Sequence, residues 1–431
     1  MKKMNFTSIF LLGINGIIGS GIFLIPNKLY QDMGVGSILV ILLAALMVFM
    51  IALCYGELAS IYPKGGGSWR YVYETFGRFA GFEIGLVSWL LAITILATET
   101  AALLTTLQGI FTFLNNSLYY QISGVLILLL LMLANFMGLN FMRKLNNLSS
   151  FAKLAMILFF IVVGMFFVKI DHLSELLPVS ADTPMGLFKD VAKAMSVVFY
   201  GFVGFSFLPV NASRMQNPQK NLPKALICVL SVCALLYSLL TFVCFGILGQ
   251  NVGTSTLAAA DAFKVIFNQF GYNFIILGML VSIGGLTISF AMNAPQIASS
   301  LSRNGLFPMF LSKSNTKGNA YFSTIFTFLG SMILVCIGNF DWLLLLSVFL
   351  SFIQYVVCIL SLIKLKYDGI EASFHVPFGY LVPILALVSS LYLMTGFSKD
   401  MVVVGVVILL IGVLLYSIDA YIKVYLSKKQ G

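Results

Sequence analysis

Long apolar segments dominate this chain and restrict the folds that it can adopt. Of its 431 residues, 60% are hydrophobic and only 9% are charged, whereas soluble domains carry about 25% charged residues. The apolar runs are continuous and do not alternate with polar residues, so they predict helices and not the strands of a membrane barrel. A hydrocarbon core of about 30 Å requires roughly 20 apolar residues per helix, and the chain offers about twelve such segments. We therefore predict an all-α integral membrane protein.

Short connections separate the predicted spans, so we treat residues 1–431 as a single membrane domain. The approximate limits are 7–30, 37–61, 79–113, 119–141, 148–169, 190–212, 223–248, 272–302, 321–338, 341–363, 379–397 and 401–425. Lys and Arg accumulate in the connections of one side, as the positive-inside rule requires of cytoplasmic loops. This bias explains the net charge of +10 without a nucleic-acid partner. It predicts a multi-pass protein of the plasma membrane with both termini in the cytoplasm.

Glycines interrupt the first span (GINGIIGSGIFLIP, 13–26), where a plain membrane helix would carry leucine. Each glycine weakens a helix by about 1 kcal/mol relative to alanine, and Gly19 and Gly21 flank Ser20. We predict that the helix unwinds near 18–22, which would expose backbone N–H and C=O groups suited to the two charges of a zwitterion. The alternative is a tight helix–helix packing face, a role that small residues spaced three or four apart also serve.

The sixth span repeats this irregularity, because Gly201 and Gly204 lie in mid-membrane, and we predict a second break near 200–204. The spans then divide into two repeats, about 7–169 and 190–363, followed by two extra helices at about 379–425. An odd number of spans per repeat inverts the second repeat in the membrane. Paired broken helices in inverted repeats indicate a transport site at the membrane midplane.

Four motifs, in order along the chain, resemble those of the amino acid–polyamine–organocation (APC) superfamily. They are GIIGSGIF (16–23), YGELASIYPKGGGSWRYVYETFG (55–77), FYGFVGFSFLPVNASRMQNPQKNLPKAL (199–226) and SLSRNGLFPMFLSK (300–313). The resemblance implies a LeuT-type fold, in which five plus five helices form an inverted repeat with helices one and six broken, and two helices follow. It also implies secondary transport of amino acids or amines by alternating access.

The resemblance further implies which residues meet the substrate. They are Ile18, Gly19, Ser20, Gly21 and Ile22 in the first break, Tyr200, Gly201, Phe202 and Gly204 in the sixth helix, and Phe290 in the eighth. Tyr200 aligns with an aromatic gate, and Tyr71 aligns with a cytoplasmic gate tyrosine. Ser206 takes the place of a glutamate of the arginine–agmatine antiporter, and Ala212-Ser213-Arg214 stands where many members carry acidic residues. The serine at position 206 puts that antiporter's proton step in doubt here, and no consequence is assigned to the second departure.

Lys153 lies about one turn into the fifth span, and an ionisable side chain in a span is a functional candidate by default. Its four-carbon stem would also let it reach the nearby headgroups. The family's proton-dependent and exchanger members resemble this chain in having a fifth-helix lysine, whose ammonium takes the place of a sodium ion between the first and eighth helices. We therefore predict that Lys153 couples transport to protons, by symport or exchange. Sodium coupling stays an alternative, although an ammonium at the sodium position would repel the ion.

Glu99 lies midway along the third span, where a carboxylate must be protonated, paired or close to water. The resemblance aligns it with a residue of the side-chain pocket in the arginine–agmatine antiporter. If ionised, Glu99 would hold a cationic side chain or amine, which is the interpretation that we favour. If protonated, it would carry a proton for a neutral substrate, and a structural hydrogen bond to a neighbouring helix is the third interpretation. Glu57, near the end of the second span, is expected to be structural or gating.

Other function classes fit the residues less well. A channel would call for a ring of charges or a filter, and an intramembrane enzyme would call for a catalytic pair in the spans. The six cysteines lack metal spacing, so we expect neither a metal nor a cofactor. A permease-like sensor would keep the same site and stays an alternative, and the oligomeric state is left open.

Overall fold

The computed structural model describes residues 3–137, 139–173, 184–314 and 320–430, and helices joined by short turns make up most of this part of the chain. The α-helices are α1 Phe6–Ile17, α2 Gly21–Leu24, α3 Pro26–Met33, α4 Ser37–Ile61, α5 Ser68–Phe76, α6 Arg78–Gln108, α7 Ser117–Met137, α8 Leu139–Met165, α9 Pro184–Tyr200, α10 Pro218–Leu248, α11 Ala258–Arg303, α12 Tyr321–Ile337, α13 Phe340–Tyr367, α14 Leu381–Met394 and α15 Lys399–Gln430. Within the described residues, 9 helical stretches are long and apolar enough to cross a membrane, and α1, α12 and α14 are shorter apolar helices. The prediction of an all-α membrane protein with about twelve spans is confirmed.

Both predicted helix breaks are present. The first span unwinds after Ile17, and its helix resumes at Gly21, with the backbone of Ile18 extended between them at φ −75° and ψ 111°. The sixth span leaves the α-helix at Tyr200 and continues as a 3₁₀ segment, Val203–Arg214. The second half of the sixth span is therefore wound more tightly than the α-helix that the apolar pattern predicts.

The helices pair in a way that is symmetric between the first five and the next five spans. α4 packs on α10, α6 on α11 and α7 on α12, so that the second, third and fourth spans each meet their counterparts. The fifth span packs on the eighth (α8 on α11), and the tenth packs on the third in the same way (α13 on α6). The first span packs on the seventh (α1 on α10), and the sixth packs on the second in the same way (α9 on α4). An inverted repeat of five plus five helices gives this pattern of contacts. The residue limits of the two repeats, 7–169 and 190–363, stay predictions.

Some helix limits differ from those predicted. α11 combines two helices across a kink at Phe267 and Asn268, so the eighth span is preceded by a short helix that hydropathy alone did not predict. α5 occupies a stretch that we expected to be a loop, and α8 begins at Leu139 instead of near 148. Polar residues can continue a helix beyond its apolar run, and hydropathy detects only the run.

Ion pairs tie the helices together at both ends of the bundle. At the end where α1 begins, here called the N-terminal end, Glu57 of α4 pairs with Lys366 of α13 at 2.7 Å and accepts the N–H of Val376 at 2.8 Å. At the opposite end, Lys28 of α3 pairs with Asp341 of α13. The contacts of Glu57 agree with the structural role expected for it, and the two helix breaks lie between these ends.

Candidate functional site

The two helix breaks touch each other through glycine. A Cβ atom on Gly21 would lie 2.9 Å from the Cα of Gly201, and one on Gly204 would overlap the carbonyl oxygen of Gly16. Any larger side chain at either position would push the two backbones apart. The glycines therefore serve both purposes that the sequence suggested, since they accompany the breaks and also allow close packing.

Glu99 of α6 occupies one flank of the first break. Its fully buried carboxylate accepts the N–H of Ser20 at 3.1 Å, the hydroxyl of Ser20 at 2.7 Å and the hydroxyl of Tyr200 at 2.5 Å. A Cβ on Gly19 would lie 2.8 Å from a carboxylate oxygen of Glu99. Three donors thus converge on an acceptor that the third span supplies, and Glu99 links the two broken helices.

Lys153 of α8 occupies the other flank of the same break. Its side chain is fully buried, and its Nζ donates to the carbonyl oxygen of Ile18, with the carbonyl oxygen of Asn15 3.5 Å away. The ammonium therefore points into the bundle and does not reach towards the headgroups. It meets carbonyl groups that the end of α1 leaves without helical partners.

The side chain of Tyr237 on α10 contacts the backbone at both breaks. The sequence analysis did not single out this residue. Its hydroxyl lies 2.6 Å from the carbonyl oxygen of Gly201 and 3.4 Å from that of Ile17. Its ring packs on Phe202 with centroids 5.0 Å apart. The sequence offers little signal for it, because Ser231, Ser238 and Thr241 place other hydroxyls in the same span.

A small cleft lies where the two breaks meet α6 and α11. Its lining residues are Ile17, Gly21, Ile95, Glu99, Tyr200, Gly201, Val203, Gly204, Leu286 and Phe290. We call this the central cleft. Apart from Glu99 and the hydroxyl of Tyr200, the side chains that line it are apolar.

Several predicted site residues lie outside the central cleft. Ile22 lines a neighbouring cleft on the side of the opposite end, and Phe202 faces α10. Tyr71 is buried on α5, where its ring packs on Tyr55 with centroids 6.2 Å apart. Tyr71 is therefore not part of the cleft lining, and its role as a cytoplasmic gate stays a prediction.

Ser206 and Arg214, which stand where the family pattern has acidic residues, both make contacts with nearby backbone groups. The hydroxyl of Ser206 donates to the carbonyl oxygen of Val203 at 3.2 Å, within its own 3₁₀ segment. The backbone carbonyl of Arg214 accepts the N–H of Met4 at 2.9 Å. Neither residue lines the central cleft. In the part of the chain that the structure describes, no group of three or more His, Cys, Asp or Glu side chains could hold a metal ion.

Side chains close the central cleft towards both ends. Towards the N-terminal end, the rings of Phe207 and Phe290 meet edge to face with centroids 5.0 Å apart. Beyond this pair a second small cavity lies between α1, the 3₁₀ segment and α11, with Asn211, Ser289 and Asn293 in its lining. We call this cavity the vestibule. Towards the opposite end, Tyr200 packs against the ring of Phe340.

Comparisons with known proteins agree with this arrangement. The amino acid permease family model matches residues 4–416. The chain is 27% identical over 432 residues to a methylthioribose transporter of Bacillus subtilis, with 94% of this chain and 90% of the relative covered. It is 27% identical over 439 residues to a branched-chain amino acid permease of that organism, with the same 94% and 90% covered. It is 25% identical over 437 residues to the Asc-type amino acid transporter 1 of Mus musculus, with 97% and 81% covered. Because the family model spans nearly the whole chain, this protein belongs to the amino acid permease family of the APC superfamily and is a multi-pass membrane transporter, not an enzyme.

Proposed function

We propose that this protein moves an amino acid or amine across the plasma membrane by alternating access, with the substrate held in the central cleft. The observation that carries the proposal is the carboxylate of Glu99, which sits at the junction of the two broken helices in an otherwise apolar cleft. A substrate ammonium group would pair with this carboxylate. A substrate carboxylate would meet backbone N–H groups at the start of α2, which lack helical partners.

The substrate's side chain would lie against the apolar lining of the cleft, which includes Ile95, Leu286 and Phe290. Among the relatives, one is named for branched-chain amino acids and another for methylthioribose, so the fold serves chemically different substrates. We favour a cationic amino acid or an amine here, because Glu99 is the acidic member of the cleft lining and Lys153 offers a separate site for a proton.

Proton coupling is assigned to Lys153. Burial disfavours the charged form of an amine, while the carbonyl oxygens of Ile18 and Asn15 favour it. Gain or loss of a proton would therefore change how firmly α8 holds the first break. Transport would follow as symport with a proton or as exchange of one substrate for another.

Opening to either side would need different contacts to part. Access from the N-terminal end requires separation of Phe207 from Phe290, and access from the opposite end requires movement of Tyr200 away from Phe340. The positive-inside rule assigns the N-terminal end to the cytoplasm, since Arg70 of α5 and Arg78 at the start of α6 lie there. Both termini then face the cytoplasm.

Uptake into proteoliposomes tests the proposal. Purified protein should accumulate a labelled amino acid or amine in a competition panel of all amino acids and common amines, measured at two pH values. Gly21→Leu should abolish uptake, because its side chain would collide with Gly201. Gly284→Ala, where an added Cβ meets no atom within 4 Å, is the matched control and should transport normally. Saturable binding without uptake would instead support a sensor.

A neutral amino acid permease is the second candidate, because all three donors near Glu99 already point at its carboxylate. In that case Glu99 would exchange a proton while the backbone holds the substrate. Competition separates the candidates, since lysine and simple amines should compete in the first case and leucine-like substrates in the second.

A further inference from the structure

A row of buried polar side chains runs from Lys153 towards the N-terminal end, between α1, α8 and α11. Its members are Asn15, Asn146, Ser149, Lys153 and Ser282, none of them more than 8% exposed. We call this row the polar seam. On α8, positions 146, 149 and 153 follow one another at intervals of three and four residues, so they share one face of the helix.

Side-chain contacts across the polar seam join all three helices. The amide of Asn15 on α1 donates to the side-chain oxygen of Asn146 on α8. The hydroxyl of Ser149 donates to the carbonyl oxygen of Val281 on α11 at 3.2 Å. Lys153 lies at one end of the row, where its Nζ meets the backbone carbonyls of Asn15 and Ile18. Asn15 therefore contacts Lys153 through its backbone and Asn146 through its side chain.

Two oxygen atoms in the polar seam have no protein partner among the described residues. They are Oδ1 of Asn15 and Oγ of Ser282, and both are buried. Buried polar atoms nearly always make hydrogen bonds, to water where no protein group is available. Gly285 faces the same place, since a Cβ there would lie 3.3 Å from Oδ1 of Asn15 and would overlap the hydroxyl of Ser149. Oδ1 of Asn15 and the hydroxyl of Ser149 therefore face one spot beside Gly285, and such a polar spot suits a water molecule.

The polar seam is separate from the vestibule through which a substrate would leave. The vestibule is lined by Leu12, Gly13 and Gly16 of α1 together with the 3₁₀ segment, whereas the seam uses Asn15 of α1 together with α8. α1 therefore has one face towards each route. The vestibule is closed from the central cleft by Phe207 and Phe290, and that pair does not touch the seam.

We propose that the polar seam conducts the proton between Lys153 and the cytoplasm, on a route distinct from that of the substrate. An N–H bond of the ammonium breaks and an O–H bond forms on a water molecule held by Asn15 and Ser149, which leaves a neutral amine and a hydronium ion. The titratable groups that act electrostatically on Lys153 are Glu99 on α6 and Cys233 on α10. The proposal rests on the coupling role assigned to Lys153 under the proposed function.

Two neighbouring serines on α8 give a matched test. Ser149 donates across to α11, whereas the hydroxyl of Ser150 donates to the carbonyl oxygen of Asn146 in its own helix at 2.6 Å. Both are nearly buried, at 8% and 4% exposed. Replacement of either by alanine removes the same atom, but only Ser149→Ala interrupts the seam.

The experiment compares two modes of transport in proteoliposomes, with labelled leucine or lysine, whichever the wild type accumulates. Ser149→Ala and Asn146→Leu should lower proton-driven net uptake at least about fivefold while counterflow exchange, which needs no net proton movement, stays within about twofold of wild type. Ser150→Ala should match wild type in both modes. Equal ratios of net uptake to exchange in Ser149→Ala and Ser150→Ala would overturn the proposal, and exchange itself shows that each variant is folded.

Lys153→Ala separates failure of the seam from failure of the coupling role. If Lys153→Ala keeps the pH dependence of the wild type, Lys153 is not the proton site and both proposals are wrong. If Lys153→Ala loses proton-driven uptake while Ser149→Ala and Asn146→Leu keep it, only the polar seam is wrong.

Discussion

The two flanks of the break in the first span are held by side chains of opposite charge. On one flank, the carboxylate of Glu99 accepts the N–H of Ser20, and on the other, the ammonium of Lys153 donates to the carbonyl oxygen of Ile18. An unwound turn in a membrane leaves both kinds of backbone group without helical partners. Here α6 supplies an acceptor for an N–H group and α8 supplies a donor for a C=O group. Together the two helices stabilise the unwound turn.

The flanks differ in their access to the central cleft. Glu99 lines the cleft, whereas Lys153 does not and instead begins the polar seam. A molecule in the cleft can therefore contact the carboxylate directly, whereas it has no direct contact with the ammonium. From this difference we infer that Glu99 serves recognition and Lys153 serves coupling, and each of the following variants tests one side of that division.

Loss of the lysine should have the largest effect. Lys153→Ala removes the donor to Ile18 and leaves buried carbonyl groups unpaired, which costs about 1–3 kcal/mol. We expect net uptake to fall by roughly a hundredfold, or about 2.8 kcal/mol, with its pH dependence lost. Labelled-substrate uptake at two pH values measures both, with expression and thermal unfolding as controls. An unchanged rate and pH profile would show that Lys153 has no part in coupling.

Loss of the carboxylate charge should have the next largest effect. Glu99→Gln keeps the size of the side chain but removes the negative charge from the central cleft. A buried ion pair with a cationic substrate is offset by desolvation, and we expect a loss of affinity of at least about tenfold, or about 1.4 kcal/mol. If the substrate is neutral, affinity should persist and the pH profile should flatten. Equal transport of leucine-like and lysine-like substrates by wild type and Glu99→Gln would leave Glu99 a purely structural role.

Much of this architecture could be predicted from the sequence, because each span of a bilayer must be a long apolar segment. The apolar runs set the number of spans, and the glycines around Ser20 and Gly201 located both breaks within a few residues. The ionisable residues in mid-span, Glu99 and Lys153, stood out because charge is costly there. Their position at the breaks was implied by family resemblance and is seen in the structure.

The contacts between helices could not be predicted in the same way. That Glu99 would meet the backbone N–H of Ser20 depends on how α6 rotates against the break, and hydropathy contains no such information. Tyr237 was missed because a tyrosine in a membrane helix has several ordinary uses, and only packing shows that its hydroxyl reaches Gly201. The short helix α5 was missed because it lies outside the apolar runs.

A double variant sharpens the comparison of the two flanks. Glu99 and Lys153 act on each other electrostatically across the break. Coupled residues commonly deviate from additivity by about 0.5–3 kcal/mol. We expect Glu99→Gln combined with Lys153→Ala to lose less binding affinity than the two single losses combined, because each single variant leaves the other charge buried without its counterpart. Additive losses would mean that the two flanks work independently.

Removal of the hydroxyl that spans both breaks should have the smallest effect. Tyr237→Phe deletes the bond to the carbonyl oxygen of Gly201 but keeps the ring against Phe202. One such hydrogen bond contributes about 1 kcal/mol to stability, and no charge is lost. We expect a lower unfolding temperature in detergent and a change in substrate affinity of less than about threefold, with Glu99→Gln measured alongside. If Tyr237→Phe instead weakened binding as much as Glu99→Gln does, the hydroxyl would have to act on the substrate itself, and recognition would extend beyond the flank that Glu99 holds.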